Sequence, residues 1–385
     1  MSDKVKRLLI ILGAVLLASS IIFAVVFLSG PNRGEVQDIE SYVPVVSHEK
    51  SVVESNIEPE PALGFLPNVV EISEDFSDFI FNARFLDIPT YEGSGQIVHP
   101  QVLHFEEQFL GFYYLMVMSP YPYFDASHEN ASILGSQDGV SWVVPEGVTN
   151  PVVGVPPDVA HGGYFSDPFI LRVDDTLELW WRRNVVRDIG NGFFRQDELH
   201  NRIYRMTTTD LINWTEREII FDCEEGLDHF MSPVVFLEDS GKYRVYYTNY
   251  NNRMFVVESY NLLEWSEREE VELTLGEWGI WHQEINLING RFEALFTTLE
   301  RGDFVFPVHR LFHSYSYDGA NFSVGSQIVI ENISPELHGM TVHKCSFVLK
   351  DGVYQMYFAV YDQSMRWQTF YFEIAKENLS RLFEN

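Results

Sequence analysis

From about residue 68 onward the apolar positions fall into short runs separated by Gly, Asp or Asn turns, and the runs recur in the same order. The first set spans 98–105, 111–118 and 132–142, and the second 166–171, 177–182 and 203–214. The third covers 232–236, 241–248 and 254–265, the fourth 282–297 and 311–322, and the fifth 343–348, 352–359 and 371–376. Each set predicts an apolar strand, a tight turn, an aromatic strand with alternating pattern, and a third strand closing in a Ser/Thr-x-Asp/Asn turn before Trp or Phe. A short fourth stretch follows, as at 217–221 and 271–273. Four antiparallel strands recurring every 50 to 70 residues are the pattern of a propeller blade. A β-sandwich would not repeat one strand pattern five times at this spacing. The expected fold is therefore all-β, a five-bladed β-propeller over 68–385, with no long helical period beyond residue 30.

The N-terminus reads differently. Lys4, Lys6 and Arg7 precede an uncharged run, 8–28, of 21 residues, close to the roughly 20 that cross a bilayer as a helix. A cleaved signal has a shorter apolar core of about 7–15 residues, and here apolar residues continue past the small Ala18, Ser19 and Ser20. The expectation for 1–29 is an uncleaved signal anchor and membrane partner, with the N-terminus in the cytoplasm and the rest outside. A cleaved signal and secretion is the alternative. Residues 30–67 carry Pro31, Pro44, Pro59, Pro61 and Pro67 among scattered Glu, show no apolar period, and read as a disordered stalk.

Charge narrows the partners. The chain has 26 Lys plus Arg against 56 Asp plus Glu, a formal net charge of −30, and no basic block beyond the N-terminus, which excludes a general nucleic-acid binder. Two cysteines, Cys223 and Cys345, are either a disulfide or two free thiols.

In a propeller the innermost strand of each blade lines the axis, so equivalent positions of the five copies form a ring. Aligning the copies puts His99, Asp167, Ser232 and His343 on that ring, with His282 or Gln283 from the fourth copy and Glu284 just beyond. Pro100, Pro168 and Pro233 follow the first three and would fix the start of the strand. Core strands ordinarily begin apolar, so a polar ring repeated across copies points to a pocket. Trp180, Trp181, Tyr246, Tyr247, Tyr357 and Phe358 are expected to pack between blades. Tyr121, Tyr123, Trp278, Trp281 and Trp367 lie in connections near the ring, where an aromatic either stacks a sugar or caps the core.

The Ser166-Asp167-Pro168-Phe169-Ile170 motif and the Ser136-x-Asp138-Gly139-x-x-Trp142 turn, within this five-copy order, make the region 85–383 similar to a known group. It resembles the five-bladed propeller glycoside hydrolases of the arabinanase, β-xylosidase and invertase type (families 43 and 32). The resemblance implies a first-blade carboxylate as base or nucleophile, a second-blade Asp that orients it, and a third-blade Glu as general acid. Asp167 matches the second of these. His99 stands at the first position, and Met231 or Ser232 at the third, so two of the three groups are missing where expected. His343 matches a fifth-blade His that in related propellers holds an axial metal ion or its water. Either Glu284, Asp228, Glu129 or Glu198 rebuilds the site, or nothing is hydrolysed.

Three expectations follow. One is an extracytoplasmic glycoside hydrolase with Asp167 and Glu284 as its carboxylate pair and His99, Ser232, His282, His343 and Trp281 binding a carbohydrate. Another is a non-catalytic propeller that recognises a glycan or a protein. In the third, imidazoles including His343, with a carboxylate, hold calcium or another divalent metal on the axis.

Overall fold

The computed structural model describes residues 79–190, 193–223, 230–249, 251–300 and 309–383. The expected anchor and stalk lie outside them, as does Asp228, and the Glu198 side chain is likewise not described. Among the described residues no helix is long and apolar enough to cross a membrane.

Among the described residues twenty strands form five four-stranded antiparallel sheets. Blade one is β2 (Ile97–Phe109), β3 (Phe112–Pro120), β4 (Ser132–Ser136) and β5 (Trp142–Val143). Blade two is β6 (Tyr164–Val173), β7 (Thr176–Gly190), β8 (Phe193–Thr208) and β9 (Glu218–Cys223). Blade three is β10 (Met231–Leu237), β11 (Tyr243–Thr248), β12 (Met254–Ser259) and β13 (Glu269–Glu270). Blade four is β14 (Trp278–Ile288), β15 (Arg291–Glu300), β16 (His309–Ser316) and β17 (Ser326–Ile328). Blade five takes β18 (Thr341–Lys350), β19 (Val353–Tyr361) and β20 (Trp367–Ala375), and its outermost strand is β1 (Ile80–Leu86), from the other end of the described chain. The inner strands β2, β6, β10, β14 and β18 touch in a closed ring. The architecture is the five-bladed propeller that the repeat predicts.

Apolar contact is distributed between blades rather than gathered at one centre. Trp180 of blade two, Tyr246 of blade three and Phe296 of blade four share one cluster, and three further clusters fill the remaining junctions. A middle strand is covered on both faces, which is why β3 reads as nearly continuous apolar residues instead of alternating. The outermost strands have one covered face, and β13 is two exposed glutamates. Trp180, Trp181, Tyr246, Tyr247, Tyr357 and Phe358 are all buried at these junctions, as expected. Cys223 and Cys345 are buried free thiols.

The recurring Ser/Thr-x-Asp turn has a defined job. Asp138 Oδ1 accepts the backbone N–H groups of Val140 (2.8 Å) and Ser141 (2.7 Å), and Asp318 Oδ1 does the same for Ala320 and Asn321 (both 2.8 Å). The turn thereby aims one carbonyl at the neighbouring blade. Tyr357 Oη donates to the carbonyl of Gly139 at 2.9 Å, and Tyr246 Oη to that of Gly319 at 2.8 Å. Both glycines have positive φ, 79° and 74°, and a Cβ on either would meet the tyrosine oxygen. Tyr357→Phe leaves a buried carbonyl without its partner, so it is expected to lower stability by about 1 kcal/mol. A shifted urea midpoint with unchanged slope would show it; an unchanged midpoint would mean the bond contributes nothing.

Candidate functional site

Each inner strand carries an irregularity near its start. In blades one to three, register shifts bracket His99-Pro100, Asp167-Pro168 and Ser232-Pro233, and the residue before each proline sits at positive φ, 54°, 48° and 51°. Proline disfavours helical conformations in the residue before it, and L-residues rarely hold positive φ, so this backbone is kept only because the ring of blades fixes it. The bulge breaks the ladder and re-aims a side chain. Blades four and five reach the same break without proline, at Trp281 and at His343. By register Trp281, rather than His282 or Gln283, is thus the fourth-blade equivalent.

His99, His282 and His343 converge, with ligand-capable atoms all within 4.8 Å of one another. His282 Nε2 and His343 Nε2 are 3.1 Å apart. Asp167, fully buried, lies against two of the rings: its Oδ1 is 3.4 Å from His99 Nε2 and 3.5 Å from His282 Nδ1. Its Oδ2 accepts from Arg182 Nε at 2.7 Å. Arg182 is placed for this by β7, where it pairs with Ser166 of β6, and its Nη1 donates to Asn201 at 3.2 Å. Thr297 Oγ1 donates to the carbonyl of His343 at 2.6 Å and fastens blade four to blade five beside the rings.

Above the rings opens a cavity of about 450 Å3 lined by the three histidines, Glu129, Tyr164, Ser166, Arg182, Asn184 and Trp281, with Tyr121, Phe124, Met231, His309 and Tyr361 completing much of the wall. Glu129 is the carboxylate of this wall. It accepts a very short hydrogen bond from Ser166 Oγ, and its Oε1 is 3.2 Å from His99 Nδ1.

The electrostatics follow from burial and from neighbours. Burial by itself would raise the Asp167 carboxyl, but Arg182, His99, Lys344 and the Ser232 N–H reverse this and hold it well below the usual carboxylate range. Burial keeps His282 neutral well below 6.5, helped by His343, His99, Lys344 and Arg182. His343 is likewise depressed by burial and then by His99 and His309. Burial lowers His309 to about 4 and raises the Tyr164 phenol, so one is a neutral imidazole and the other an O–H donor at neutral pH.

These groups suit a divalent cation. Metals take neutral imidazole and ionised carboxylate, and the buried His99 Nδ1, His282 Nδ1 and Asp167 Oδ1 make no hydrogen bond, meeting only ion-pair distances of 3.2 to 3.5 Å to Glu129 and to one another. Buried polar atoms held short of a good hydrogen bond are costly without a ligand. The nitrogen-rich set matches zinc or a similar transition ion better than calcium, which takes six to eight oxygens.

The remaining expected site residues lie elsewhere. Ser232 is buried and engaged with Gln283, whose N–H donates to its Oγ at 3.2 Å and whose Nε2 donates to its carbonyl at 3.0 Å. Glu284 does not line the cavity. It is buried, accepts from Ser346 Oγ at 3.2 Å, and burial outweighs Lys344 and Ser346 to push it up to about 8. Trp367 packs on His343 with ring centroids 5.0 Å apart, whereas Tyr123 is 63% exposed. Arg182, Tyr164, Asn184 and His309 were not anticipated. A charged residue at the end of the apolar run 177–182 was the available signal for Arg182; nothing local marks His309.

No family model matches the sequence. Over 128 residues, 31% of this chain, it is 33% identical to the A type blood N-acetyl-α-D-galactosamine deacetylase of Flavonifractor plautii, of which the match spans 16%. The crystal structure of an N-acetylgalactosamine deacetylase from F. plautii, in complex with blood group B trisaccharide, superposes with a TM-score of 0.64 at 19% identity, covering 78% of this chain and 97% of that one. The α-L-arabinanase of Cellvibrio cellulosa gives 0.50 at 11% identity, over 75% and 98%. The sheet order, the closed ring of inner strands and these superpositions together make the fold that of the glycoside hydrolase-like five-bladed propellers.

Proposed function

We propose that the chain hydrolyses the amide of an N-acetylated sugar in the axial cavity, with a divalent cation held by His99, His282, His343 and Asp167. The observation that carries this reading is the convergence of three imidazoles beside a buried, charge-stabilised carboxylate at the floor of an open cavity. When bound, the cation would polarise the acetyl carbonyl and make water a better nucleophile. Glu129 stands on the cavity wall as the base that takes the proton from the attacking water. Water oxygen bonds to the acetyl carbon, the carbon–nitrogen bond breaks, and Glu129 returns the proton to the leaving amine, giving acetate and an amino sugar. Tyr164 offers an O–H to the carbonyl oxygen as charge develops. Arg182 holds Asp167 ionised.

Glycosidic cleavage has less support. It needs a proton donor across the bond from an anion, and at the third-blade position for that donor the cavity is lined by Met231. The local likeness to a deacetylase favours the same direction.

Acetate release from N-acetylhexosamine glycosides, measured with metal content, tests the reading. Dialysis against a chelator, or His343→Ala, is expected to remove the bound metal and abolish release, with zinc restoring only the dialysed wild type. Reducing sugar without acetate from the same panel would sink the deacetylase and favour a glycosidase. For location, we infer that 8–28 anchors the chain with the propeller outside the cytoplasm. Retention on membranes through a high-salt wash is the expected result, since apolar burial is not screened by salt; release by the wash would count against it.

A further inference from the structure

Beside the axial cavity lies a second one of about 410 Å3, and His309 and Tyr361 line both. Its wall includes Arg310, Gln327, Glu331 and Thr341, over aliphatic residues of β17 and β18. Taking the amide-hydrolysis reading above as its basis, we propose that this second cavity is a subsite for the sugar residue linked to the acetamido sugar. The substrate is then a glycan of at least two residues rather than a free N-acetylhexosamine.

The shared wall makes the two cavities neighbours along one bound molecule. Tyr361 is a rigid partition: its ring meets Trp367 at 4.7 Å and the edge of Phe124 at 5.1 Å and 89°. Phe124 is held there by a strained turn, in which Tyr123 (φ 52°) and Phe124 (φ 66°) both occupy the left-handed region. Two successive bulky residues in that region are costly, and such strain persists where it positions a functional surface. An aromatic face beside hydroxyl-matching side chains suits a pyranose, which has one apolar face and a polar rim. The Arg310 guanidinium lies over Trp278, which is not part of this wall, 5.7 Å from its ring centroid, and the carboxylate on the wall is Glu331, so a neutral hydroxylated unit fits better than a phosphate or a carboxylate. At about 450 and 410 Å3 both cavities fall within the roughly 300 to 1,000 Å3 of ordinary ligand pockets, so each is large enough to take a sugar residue.

The test is calorimetric titration of the full-length protein with N-acetylgalactosamine and with a trisaccharide ending in it, and with N-acetylglucosamine and its trimer, alongside acetate release. At least one trisaccharide is expected to bind about tenfold or more tighter than its monosaccharide. In Gln327→Ala and Glu331→Ala, checked for unchanged melting, that ratio is expected to fall towards one. If extension gains nothing, or if the ratio survives in both variants, the subsite is wrong while monosaccharide deacetylation would leave the parent reading intact. If extension tightens binding through these residues but no acetate appears, the subsite stands and the deacetylase fails. Absence of binding by every sugar overturns both.

Discussion

Glu129→Gln is expected to lower the rate of acetate release by about two to four orders of magnitude, the usual loss for a positioned acid–base group, with metal content and melting temperature unchanged. Glutamine keeps the shape and still accepts from Ser166 Oγ, but it cannot take a proton from water. Glu129 is buried at the cavity wall with His99 Nδ1 3.2 Å away, so no other carboxylate among the described residues lining the cavity can replace it. The loss should fall on kcat rather than KM, because the proton moves only in the transition state. A variant within a few-fold of wild type would remove Glu129 from the mechanism and move attention to His309.

Arg182→Met should be the most damaging single change to the fold near the site. It leaves Asp167 fully buried without its guanidinium, and breaking a buried ion pair in this way costs about 3–5 kcal/mol. The double variant Asp167→Asn, Arg182→Met should be less destabilised than Arg182→Met alone, because the uncompensated charge is gone. The pH dependence separates this from a packing defect. In metal-free wild type the Asp167 carboxyl is depressed, so its contribution is complete above the ordinary carboxylate value of about 3.9 and is lost as pH falls towards the depressed one. Without Arg182 burial is opposed only by His99, Lys344 and the Ser232 N–H, so the depression should shrink and less stability should be lost as pH falls below about 4. Parallel pH profiles of the two proteins would show that Arg182 acts only by filling space.

The repeat made the blades legible because a strand covered on two faces must be apolar and a turn needs Asp and Gly whatever the partner. The ring was legible through His99, Asp167 and His343, since polar residues at the start of core strands have few structural reasons. Glu284 was expected just beyond the ring, and it does share a side of β14 with His282 two residues earlier, but it sits further along the strand, buried against Ser346 and Lys344 instead of lining the cavity. Glu129 was one of several loop carboxylates; only the folded connection between β3 and β4 singles it out. Strand β1 escaped the repeat because it is the detached fourth member of the last copy.

That detachment bears on how the protein is made. Asn82 of β1 donates to Glu373 of β20 at 2.7 Å across 291 residues, so the first blade strand to leave a ribosome waits for nearly the last. The ring cannot close during synthesis, and contacts of such separation make folding slow. Meanwhile β1 is an unpaired edge in a nascent chain, the usual start of aggregation. Its centre, from Phe81 to Arg84, is exposed even in the finished fold and includes Asn82 and Arg84. That polarity suits a strand that spends its synthesis in water.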